Sequence, residues 1–190
     1  MIIIRIQSDW VGKDLNIVYD NVSNALDRYI NLHPTPTRWP GLALWLHFQV
    51  LSDLITDLTF HPTSPAQTKS EACVDSISLL VNLAQKFTKL DYRLQFTPRR
   101  LRDLPNRTVG LIANVVGQMK GLPPEMVQGS IRRKSTLIPQ LEELVGCRGG
   151  HGPLLFPKLW NEVDELRDMR DMKRTKIRGK YVAVCGLLAL

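Results

Sequence analysis

The chain has 190 residues, 44% of them hydrophobic and 23% charged, with a net charge of +7. That balance excludes a disordered chain, which has too little apolar surface to offset its ordering entropy. Its three cysteines, Cys73, Cys147 and Cys185, are odd in number and far apart, which argues against a disulfide framework and fits a reducing compartment.

At the N-terminus Ile2, Ile4 and Ile6 alternate with Ile3, Arg5 and Gln7, the period of a strand. Arg5 interrupts this run before it can form the apolar core of a secretory signal, so the expected location is intracellular, cytoplasmic or nuclear. The sequons at Asn21 and Asn106 are accordingly read as chance matches. Gly12 makes a turn, and Asp14 caps a helix running to about Leu32, with Leu15, Val18, Val22, Leu26, Tyr29 and Ile30 as its apolar face. A short proline-containing connector, residues 33–37, makes the next helix its packing neighbour.

That next helix, residues 42–60, is the expected organiser of the core. Leu44, Phe48, Leu51, Ile55 and Leu58 recur at spacings of four and three, Trp45 and Leu54 widen the stripe, and Gln49, Ser52, Asp53, Thr56 and Asp57 oppose it. Pro40 fits the first turn, and the His61-Pro62 step ends the helix. Asp53 and Asp57 share its polar face, which makes an amphipathic helix and not a membrane span. Carboxylates one turn apart could serve as an acid–base pair, but on a polar face solvated charge is the ordinary outcome.

A polar loop, residues 61–70, leads to a third helix over 71–90, capped by Ser70. Cys73, Ile77, Leu80, Ala84 and Phe87 point inward, and Ser76, Asn82 and Lys86 outward. Cys73 on that stripe is read as a small buried apolar residue. Residues 91–106 break the periodicity, and any subdivision of an otherwise single 1–190 domain falls there. Asn106 is the expected cap of a helix to Lys120, with Val109, Ile112, Val116 and Met119 inward, ended by Gly121-Leu122-Pro123-Pro124. A further helix from Pro124 toward Val145 breaks near Pro139, with Ile131, Leu137, Leu141 and Leu144 inward. Residues 157–176 alternate charge around Leu159, Trp160, Val163, Leu166 and Met169, and residues 181–190 form an apolar run with strand propensity. The fold class is therefore mainly α, a compact multi-helix domain with room for a small two-stranded pairing of the chain ends.

Three places carry candidate chemistry. The glycine-rich loop at 146–153 holds Cys147, Arg148 and His151, a conceivable nucleophile–base pair, and supports the alternative that the protein is an enzyme. It lacks a P-loop ending and follows a helix, so a helix-ending glycine turn is the favoured reading. His33, His47, His61 and Cys147 have none of the paired spacings of zinc sites, and neither metal nor cofactor is expected. His33 and His61 precede prolines as turn residues, and His47 sits beside an apolar face.

The basic clusters carry more weight. Arg93, Arg99, Arg100, Arg102 and Arg107 gather on one irregular stretch with Tyr92 and Phe96 interleaved, and Arg132, Arg133 and Lys134 form a second group. Arg167, Arg170, Lys173, Arg174, Lys176, Arg178 and Lys180 form a third, partly balanced by Glu162, Asp164, Glu165, Asp168 and Asp171. Converging groups could follow a phosphate backbone, while separate ones are merely solvated patches. The expected function is a non-enzymatic regulatory or interaction module. Its basic surface would bind a protein partner or an anionic polymer such as RNA or DNA.

Overall fold

The computed structural model describes residues 14–31, 38–60, 64–88, 99–146 and 159–171, with side chains left aside at 38–40 and 99–100. The expected terminal strands, residues 2–6 and 182–187, lie outside these residues, as does Arg93. The described chain is all α. Its helices are α1 (Leu15–Asn31), α2 (Arg38–Phe60), α3 (Ala66–Thr88), the single turn α4 (Arg99–Arg102), α5 (Leu104–Met119), α6 (Pro124–Arg133), α7 (Leu137–Val145) and α8 (Trp160–Asp171).

Helix α1 begins as its sequence dictates: the Asp14 carboxylate accepts the backbone N–H of Asn16 at 2.9 Å, satisfying one of the unpaired amides of the first turn. Val18, Val22, Leu26 and Tyr29 are buried along one face. Its last turn meets the start of α2 so closely that a Cβ on Gly41 would lie 3.5 Å from the Tyr29 ring and 2.8 Å from Leu101 of α4. The two helices thus form an antiparallel hairpin, with α4 seated over its closed end.

In α2 the anticipated stripe is buried at Leu44, Phe48, Leu51, Leu54 and Ile55, and Asp53 and Asp57 are exposed. The organising element, however, is α3, which packs against α1, α2, α5, α6 and α7. The reason lies in its small residues. Ser70, Ser76 and Ser78 are buried alongside Cys73, Ile77, Leu80, Leu83, Ala84 and Phe87, so α3 can accept neighbours around most of its circumference.

Helix α3 starts at Ala66, and Ser70 is an interior residue whose hydroxyl donates to Ser130 of α6 at 2.9 Å; it is not a cap. Ser76 faces inward at 0% exposure. Lys86 does not point freely outward but bridges to α1, donating to Ser23 and to Asp27 at 2.7 Å. The supposedly irregular stretch contains α4, and α5 begins at Leu104, with Asp103 and not Asn106 at its N-cap position and Pro105 in its first turn. The break between α6 and α7 falls at residues 134–136. Pro139 therefore sits in the first turn of α7, where its missing N–H costs no hydrogen bond. Leu159, just before α8, and Val163 and Leu166 within it are buried, but Trp160 is 44% exposed and leaves the expected seam.

Burial of Cys73 pushes its thiol pKa up to about 11, which leaves almost no thiolate at neutral pH. We expect Cys73 to resist iodoacetamide at pH 8 in the native protein and to label fully in urea, as read by peptide mapping. Native labelling at Cys73 would show that α3 opens readily.

Candidate functional site

The helices hold the basic groups apart. Leu101 on Gly41 places α4, and with it Arg102, at the closed end of the α1–α2 hairpin. Arg133 and Lys134 instead lie at the start of α3, beside the other end of α2. Gly41 and Phe60 are nineteen positions apart along α2, a distance of roughly 28 Å.

The two ends also differ in how their charge is used. Near the start of α3, Arg133 donates to Glu71 and Lys134 to Asp75, each at 2.8 Å. Hydrogen bonds from Gln67 and Arg133 hold the Glu71 carboxyl below its ordinary pKa, consistent with a settled ion pair. A cleft of about 230 Å³ lies between these pairs, floored by Val74 and Ser130. Its cations are already matched by its own acids, which leaves little attraction for an outside anion. Arg132 is exposed and reaches toward the Arg170 carbonyl at 3.5 Å, bringing the second and third basic groups side by side where α8 ends. Arg167 is bound to Glu142 and Asp164, and Arg170 to Asp171; both guanidiniums have raised pKa values because these carboxylates accept their hydrogen bonds.

At the α4 end neither Arg102 nor Arg107 forms an ion pair with an acid among the described residues. Arg102 is exposed. The Arg107 guanidinium lies 5.4 Å from the centre of the Phe48 ring and donates to Gln49 Oε1 at 2.8 Å, so it is oriented but not neutralised. Gln49 in turn donates to Asp53 at 2.9 Å. The backbone of α4 brings Arg99 and Arg100 to the same place, and the hairpin adds two arginines that stand apart from this cluster in sequence. Arg28 occupies the last turn of α1, exposed, and Arg38 begins α2. Neither was legible as a site residue, because only the antiparallel α1–α2 packing carries them next to α4.

The enzyme alternative gains no geometry. Gly146 has φ 79° and closes α7 in the left-handed conformation, its N–H donating to Glu142 and Glu143 carbonyls, as a helix-ending glycine does. Cys147, Arg148 and His151 lie outside the described residues. A second cleft, about 260 Å³, is lined by Met119, Leu122, Val127 and Met169 with Lys120 and Glu165 paired at its edge. It falls short of the roughly 300–1,000 Å³ usual for ligand pockets. The Lys86 amine that donates to Ser23 is also paired with Asp27 at 2.7 Å, which makes the trio a bridge between α1 and α3. Among the described residues no group of His, Cys, Asp or Glu could hold a metal, and no helix is long and apolar enough to cross a membrane. No protein-family model, curated protein or solved structure matches this chain.

Proposed function

We propose that this chain is a single helical domain serving as a non-enzymatic interaction module of regulatory kind. Its contact surface is the arginine-bearing end formed by α4, the start of α5 and the closed end of the α1–α2 hairpin. The observation that carries the reading is the contrast in pairing. Arg133 and Lys134 spend their charge on Glu71 and Asp75, whereas Arg102 and Arg107 form no ion pair among the described residues. Arg107 is also held in place by Phe48 and Gln49, so less side-chain freedom is lost when an anion binds it. The partner is anionic: a phosphate backbone, or an acidic stretch of another protein.

The test is binding of the purified chain to single- and double-stranded RNA and DNA across a salt series. Contacts to phosphate make log affinity fall linearly with log salt, by about 0.7–0.9 per neutralised phosphate. Changing Arg99, Arg100 and Arg102 together to Gln is expected to weaken binding to every sequence and flatten that slope. Arg102 is exposed and contributes little to stability, so changing it alone should hardly move the urea midpoint. Changing Arg133 and Lys134 to Gln should leave the slope nearly intact. If no nucleic acid binds with salt sensitivity, the partner is an acidic protein, to be sought by affinity purification with and without nuclease.

A further inference from the structure

Helix α2 carries a second seam, on its outer side. Leu42, Leu46, Gln49, Asp53, Thr56 and Phe60 follow one another at spacings of four, three, four, three and four, so they share one face. Leu42, Leu46 and Phe60 are 38%, 46% and 44% exposed, three of the most exposed large apolar residues among those described. The spacing reads the same in both directions. A second copy of α2 laid antiparallel therefore meets it layer for layer.

We propose that this face is a homodimer interface with a two-fold axis near the middle of α2. In that register Leu42 packs on Phe60 of the other copy, and Leu46 on the methyl of Thr56. Gln49 meets Asp53 of the other copy, an amide–carboxylate contact of the kind the two side chains already make within one helix. The parallel arrangement would set Asp53 and Asp57 against themselves, a like-charge cost that selects the antiparallel one.

Helix α1 extends the face. Tyr19, Ser23 and Asp27 mark its α3 side, since Lys86 bonds to Ser23 and Asp27 and Tyr19 to Ser23, and Val18, Val22 and Leu26 mark its core side. Ile17, 60% exposed, and Arg28 lie away from both; eleven residues apart, they share one line of the helix. Arg28 stands by the first turn of α2, so the two-fold carries it toward Asp57 of the other copy. A face two helices wide, about 28 Å by 20 Å, buries on the order of 1,000 Å² in total, the low end for specific association. The dimer is thus reversible and concentration-dependent.

Sedimentation velocity on the full chain, from micromolar to millimolar concentration, tests this. The mass should rise from 21.6 kDa toward twice that value with concentration. Leu42→Glu with Leu46→Glu should abolish the rise without shifting the urea midpoint, because both side chains are already half in water. Asp57→Arg should weaken association by about tenfold, one full charge contact, and adding Arg28→Asp should restore it. A monomer at every concentration overturns the proposal, as does a dimer indifferent to the leucine changes. Failure of the charge exchange to restore association rules out the antiparallel register.

Discussion

Leu51→Asp is expected to unfold the protein at neutral pH. Leu51 is 0% exposed, at the centre of the inner α2 stripe between Phe48 and Ile55, with α3 packed against it. A carboxylate there has no cation to pair with and loses its hydration; an uncompensated buried charge costs about 3–5 kcal/mol, to which the lost leucine packing adds. That sum takes up much of a typical stability of about 5–15 kcal/mol. Asp57→Ala, on the outer face of the same helix, should move the urea midpoint little when measured at dilute, monomeric concentration. Comparable shifts for the two variants would reverse the facing of α2.

The second large effect is expected at Gly41, and it bears directly on the basic end. A Cβ there would lie 2.8 Å from the Leu101 side chain, closer than packed carbons approach, so either the end of Leu101 turns away or α4 moves outward. Gly41→Ala can be met by turning the end of Leu101, but Gly41→Val brings two further methyls against both Leu101 and Tyr29. Overpacking of this kind costs about 1–3 kcal/mol, and Leu101, 4% exposed, is the anchor that seats α4. Urea melts should therefore show a clear loss for Val and a smaller one for Ala. Truncating Leu101→Ala in the Val background should recover part of the difference. If Gly41→Val also lowers affinity for the anionic partner while the fold persists, the position of α4 matters to the site as well as its charge.

Much of the helical layout was legible because its signals are local. Asp14 caps α1, Pro123 and Pro124 separate α5 from α6, and Gly146 ends α7, each through chemistry carried by a few neighbouring residues. The inner stripes of α1, α2 and α5 were legible because a 3.6-residue period survives without knowledge of what lies opposite. Short range also explains the errors at element ends. Arg99–Arg102 has no apolar period long enough to announce a helix, and α4 forms because Leu101 finds Gly41 and Tyr29 across the hairpin. Serine is polar in any pattern count, so Ser70 was read as a cap and Ser76 as exposed.

The sequence by itself determined the all-α class, the positions of most helices and which face of α2 is apolar, since these follow from periodicity, capping and proline chemistry within one or two turns. Tertiary structure alone decided that α3 is the hub, because burial of small serines depends on which helices approach them. It also decided the fate of each charge. Arg133 and Lys134 are neutralised by Glu71 and Asp75, about sixty residues away, while Arg28 and Arg38 come beside α4 through the turn of the α1–α2 hairpin. Charge pairing is set by distance in space, and a linear count of arginines carries no such distances.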